Sequence, residues 1–104
     1  MSRPYLLAFD QEIDRATLTD LVQGWDATEA WVIFSDNAAV IVSADSARDM
    51  SADIREKLPG KWFILTEIVR GNCDGWVPTE VWGLINNPEG WMSTEISPPG
   101  PKED

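Results

Sequence analysis

The chain contains no histidine, a single cysteine and only eight basic residues. Without histidine there is no imidazole to act as a general base near neutral pH. The lone Cys73 excludes an intramolecular disulfide, and with Asp74 beside it thiolate formation is opposed, so it reads as a structural or surface thiol rather than a nucleophile. The scarcity of Lys and Arg excludes a large phosphate-tracking surface, because nucleic-acid affinity comes mainly from basic side chains that displace counterions. Long apolar runs are also missing. The longest are about five residues, far short of the ~18 needed to span a bilayer, so no membrane segment is expected. The start, Met1-Ser2-Arg3-Pro4, lacks the apolar stretch of a signal peptide, which makes the cytoplasm the expected location. EF-hand, P-loop, zinc-finger and nucleophile-elbow spacings are not found either.

What the chain has in excess is negative charge. Eighteen acidic residues give a net charge of -10, and they are spread evenly, nine in residues 1–52 and nine in residues 53–104. Its 104 residues, 43% of them hydrophobic, are enough for one domain of ordinary globular composition. A chain of this size buries about 60–70% of the surface its unfolded form exposes, so association would add to its stability.

The apolar residues fall into short runs separated by amphipathic stretches. Tyr5-Leu6-Leu7-Ala8-Phe9 stops on Asp10, the pattern of a buried strand that delivers a carboxylate to its end. Thr17-Leu18-Thr19-Asp20 has the spacing of a capping box, and Leu18, Leu21, Val22 and Trp25 recur at helical spacing up to Gly24 to Asp26. Ala30-Trp31-Val32-Ile33-Phe34 and Ala38-Ala39-Val40-Ile41-Val42 are strand-like runs. The short polar break between them, Ser35-Asp36-Asn37, is made of residues that tolerate positive φ and predicts a hairpin. A second helix starts at Ser46-Ala47-Arg48-Asp49, carries Ala47, Met50, Ile54 and Leu58 on one side, and ends at Pro59-Gly60. The run Trp62 to Val69 predicts a last strand in which Glu67, set among apolar neighbours, marks an edge or an interface. Pro78 opens a short helix with Val81, Trp82, Leu84 and Ile85, which Asn86-Asn87-Pro88 stops.

The predicted order is strand, helix, strand, strand, helix, strand, with a short closing helix. This is an α+β, ferredoxin-like βαββαβ fold, with a four-stranded antiparallel sheet and two helices on one face. The expected domain spans residues 1–87, and residues 88–104 form an extension expected to be disordered after Trp91, where Ser, Pro, Gly and charge take over. Four strands apolar on both faces need a cover on the side away from the helices, and a second copy of the chain is the expected one, in a two-fold dimer across the open face or the edges.

The order of elements, the Tyr5-to-Asp10 strand ending, the hairpin, and Gly75-Trp76 followed by a Trp-containing helix together resemble a known family. The likeness, over roughly residues 4 to 87, is to the small CRISPR-associated endonuclease of the spacer-integration complex, the Cas-two family, and to its SinR-like relatives. It implies a homodimer in which Asp10 of each protomer is the metal-binding and catalytic residue, holding Mg²⁺ or Mn²⁺ that activates water for phosphodiester cleavage. No other motif asks for a cofactor. Glu12 and Asp14 are near enough in sequence to join such a site of oxygen ligands. Against this stands the plainer role of a strand-end Asp, which accepts backbone hydrogen bonds in the turn that follows. The chain also departs from that family in having no basic surface: Arg48, Arg55, Lys57 and Lys61 are interleaved with Asp49, Asp53 and Glu56, as on a salt-bridged helix face.

Of the six tryptophans, Trp25, Trp31, Trp62 and Trp82 sit in helices or strands and are expected in the core. Trp76 and Trp91 lie in loops and, with Glu67, are the candidate interface residues. Three functions follow. The foremost is a non-catalytic, dimeric, Cas-like interaction module that acts through protein partners, with nucleic acid disfavoured by the charge. The second is a divalent-metal-dependent nuclease using Asp10. The third is an acidic inhibitor that mimics DNA, for which only the net charge speaks.

Overall fold

A computed structural model describes residues 2–10, 13–88 and 94–95. Among them the order is β1 (Arg3–Phe9), α1 (Arg15–Gln23), β2 (Ala30–Ser35), β3 (Ala38–Ser43), α2 (Ala47–Lys57), β4 (Phe63–Glu67), a 3-10 turn at Arg70–Asn72, α3 (Thr79–Asn86) and β5 (Thr94–Glu95). The strands line up as β4-β1-β3-β2-β5. β1 to β4 pair antiparallel, with β1 central between β3 and β4, which is the expected ferredoxin-like arrangement. β5 adds a parallel pair to β2. It falls within the extension beyond Trp91, and the rest of that extension lies outside the described residues.

Each strand sends alternate side chains to opposite faces, and both faces are apolar. On one, Tyr5, Leu7 and Phe9 of β1, with Ile33, Ala39 and Ile41, pack beneath Leu18, Leu21 and Val22 of α1 and Met50 and Ile54 of α2. The two helices are therefore on one face, as expected. They are also tied to each other, because the indole Nε1 of buried Trp25 donates to Asp53 Oδ2 on α2 at 3.0 Å. On the other face, Ala30, Val32, Val40 and Val42 pack against Val81, Leu84 and Ile85.

That second cluster corrects the expectation that another chain must cover this face. α3 belongs to the same chain and covers β2 and β3, each fully buried Val or Leu contributing about 1.5–3 kcal/mol of burial free energy. An eight-residue helix has little stability of its own, so it holds its place through this packing and through its C-terminus, where Arg70 Nη1 donates to the Asn86 carbonyl at 2.8 Å. The cover does not extend to Ile64 of β4, which remains 61% exposed.

Two local signals act differently from expectation. α1 begins at Arg15, not after Thr17, because Asp14 is its N-cap and accepts from the Thr17 amide at 2.9 Å. Thr17 is thus the residue capped rather than the cap. The hairpin turn uses no positive φ at Asp36 or Asn37. A register shift between Ile33 and Ser35 closes it instead, with the Asn37 amide and the Ser35 hydroxyl 3.3 Å apart. The second helix starts at Ser46 as expected: its hydroxyl accepts from the Asp49 amide, and Gly60, at φ +81°, redirects the chain into β4.

Candidate functional site

Asp10 sits where the end of β1 meets the β2–β3 turn and the start of β4. Its amide donates to the Trp62 carbonyl at 3.1 Å. One residue earlier, the Phe9 amide donates to the Asn37 carbonyl at 2.8 Å, and the Asn37 side-chain amide donates back to the Phe9 carbonyl at 3.1 Å. Asn37 thus anchors the strand end from the turn while the start of β4 anchors it from the other side, and the half-buried Asp10 is held in a defined place.

Asp14, Asp36 and Asn37, with Ile13, line an open depression of about 520 Å³ at this end of the sheet. The acids around it have structural engagements. Asp14 caps α1, and hydrogen bonds from the Thr17 hydroxyl and amide hold its carboxyl below the usual carboxylate range. Asp36 Oδ1 accepts from Arg15 Nε at 3.1 Å in an ion pair that joins the turn to the first residue of α1. Asp36 and Asn37 are the site residues that sequence reasoning passed over. Their signal was the polar hairpin break, read for its turn chemistry alone. Glu12 lies outside the described residues. Among the described residues, no group of three or more Asp, Glu, Cys or His side chains is placed to hold a metal ion.

The tryptophans divide in an unexpected way. Trp25 is buried, and Trp31 and Trp82 pack at the margins of the two cores. Trp62, expected in the core, is 80% exposed, because the chain is still leaving the Gly60 turn and β4 begins only at Phe63. Trp76 is fully exposed in the extended stretch before α3, whereas Trp91 is outside the described residues. Glu67 ends β4, with its carboxylate 3.8 Å from Arg3 on the neighbouring strand.

β4 is an edge strand. Since Trp62 and Ile68 bond β1 through Asp10 and Pro4, the alternation of an antiparallel ladder turns the backbone groups of Phe63, Leu65 and Glu67 away from β1. A groove of about 450 Å³ runs along this edge, between β4 and the Ser51 and Arg55 side of α2. A smaller apolar cavity, about 210 Å³, lies on the far face between α3, the sheet and the 73–77 stretch, with Leu6, Phe34, Val40, Ile68, Val77 and Trp82 in its wall.

Fold and surface together define a small ferredoxin-like α+β domain with an open apolar edge and an acid-lined strand end. Among the described residues no helix is long and apolar enough to cross a membrane. No protein-family model matches the chain, and neither a curated protein nor a solved structure matches it.

Proposed function

We propose that this chain is a small, non-catalytic interaction module that works as a homodimer and through protein partners, in the manner implied by its resemblance to the CRISPR-associated and SinR-like family. The observation that carries this reading is a coincidence on one edge: Trp62, immediately before β4, is 80% exposed and Ile64, within it, 61%, and the outward backbone groups of that strand have no neighbouring strand among the described residues. Exposed edges of this kind template pairing with another chain unless they are blunted. Trp76, fully exposed ahead of α3, adds a second large apolar contact of the type enriched at binding hot spots. The charge of -10 favours partners that are proteins over partners that are nucleic acids.

The nuclease reading has one observation in its favour, since Asp10 ends a strand that is held by Asn37, and Asn37 lines, with Asp14 and Asp36, an open depression large enough for a backbone phosphate. Mg²⁺ or Mn²⁺ bound there would supply a Lewis acid and an activated water. One experiment separates the two: purified protein and its Asp10→Asn variant are incubated with RNA, single-stranded DNA and duplex DNA, in Mg²⁺ or Mn²⁺ and in EDTA. The interaction reading expects no metal-dependent cleavage by either protein. Cleavage that needs metal and disappears in the variant overturns it.

A further inference from the structure

We infer that the occupant of the β4 edge is the β4 edge of a second copy, paired antiparallel about a two-fold axis through Ile64, so that two sheets join into one. The inference rests on the interaction reading above and names its surface, partner and register.

A two-fold axis pairs an edge with itself in reverse, so the edge must complement its own reversal. β4 does so in charge. Near its start lie Arg55 and Lys61, which share the groove beside the strand, and at its end lies Glu67. Antiparallel pairing brings the basic end of one copy against the acidic end of the other, twice. Parallel stacking would set like against like.

The register follows from which groups face outward. With Ile64 on the axis, outward-facing Phe63 meets Leu65 of the second copy, and Leu65 meets Phe63, so their unused amides and carbonyls exchange hydrogen bonds. Lys61, two residues before Phe63, then falls opposite the second copy's Glu67. Moving the axis to Leu65 would instead set Glu67 opposite Phe63, and moving it to Phe63 would set Lys61 opposite Leu65; both spend a charge against an apolar side chain. The Ile64 axis also disposes of the exposed apolar surface. Ile64 meets Ile64 at the close spacing of a pair that does not share hydrogen bonds, and each Trp62 flanks that pair on the face that α3 leaves open. Glu67 keeps its long, half-exposed contact to Arg3, which is compatible with a second cation arriving from the other side.

The test uses the full chain. Sedimentation should show a dimer in the micromolar range, and Ile64→Lys should give a folded monomer, since Ile64 is mostly exposed in the single chain and its loss leaves the cores intact. Lys61→Glu and Glu67→Lys should each weaken dimerisation about ten-fold, through two like-charge pairs per dimer, and the double exchange should restore it. A role of Glu67 confined to Arg3 would show no such rescue. In a Cys73→Ser background, Ile64→Cys should cross-link under oxidised glutathione much faster than Leu65→Cys. Faster cross-linking through Leu65→Cys overturns the Ile64 axis, a dimer that survives Ile64→Lys overturns the edge assignment, and either leaves the interaction reading standing. A monomer throughout overturns the edge and the homodimer together. Cleavage lost in Asp10→Asn overturns the interaction reading itself.

Discussion

Phe9 and Asn37 exchange two hydrogen bonds, the Phe9 amide to the Asn37 carbonyl at 2.8 Å and the Asn37 side-chain amide to the Phe9 carbonyl at 3.1 Å. The first is ordinary ladder chemistry, whereas the second requires a side chain with an N–H at the turn. Asn37→Ala should therefore cost about 1–2 kcal/mol by leaving a partly buried carbonyl unsatisfied. Urea unfolding with an unchanged slope would measure it. A variant indistinguishable from the wild type would show that the turn, not the side chain, anchors the end of β1.

The bond between Trp25 and Asp53 joins the end of α1 to the middle of α2 at 3.0 Å. Trp25→Phe keeps most of the ring packing and removes the donor, while Asp53→Ala removes the acceptor; each should lose about 1 kcal/mol or more. A double-mutant cycle checks the link. The double variant should be less destabilised than the sum of the singles, and strict additivity would mean that the two residues act separately.

Leu84 is fully buried between α3 and the outer face of β2 and β3. Leu84→Ala should cost about 2–5 kcal/mol by opening a cavity beneath a short helix held mainly by this packing. Hydrogen exchange should show α3 opening more often while α1 and α2 stay protected. Uniform loss of protection across all three helices would mean that the two cores unfold as one unit.

Asp14 is the clearest source of acid sensitivity. Its carboxyl titrates below the ordinary 3.8 because the charged form accepts hydrogen bonds from Thr17. A group with a lowered folded pKa contributes stability that is complete above the ordinary value and is lost as pH falls through the lowered one. Asn at this position still caps a helix but carries no charge to titrate. The difference in Tm between wild type and Asp14→Asn should therefore stay level at higher pH and shrink once the pH drops below 3.8. A difference that held constant through that range would remove Asp14 from the acid response.

Much of the framework could be read from the chain alone. The strand runs at Tyr5, Ala30 and Ala38, the Ser46 cap and the Pro59-Gly60 stop all reflect chemistry local to a few residues, and each does what that chemistry requires. The candidate site was less legible. Asp10 was visible because a carboxylate ends an apolar run, but its anchor, Asn37, is 27 residues away and joins it only through strand pairing. Trp62 misled for a related reason: it has a strand-like composition, yet it lies one residue before the strand begins and turns outward.

By itself, the sequence determined the alternation of strands and helices, the acidity, and the need to cover two apolar sheet faces, because propensity, periodicity and charge depend on neighbours along the chain. Only the tertiary structure decided what covers them. α3 closes over β2 and β3 while β4 stays at the edge, an outcome set by which strand lies next to which and by how far an eight-residue helix can reach. Those are distances through space between parts of the chain far apart in sequence, and no local pattern encodes them.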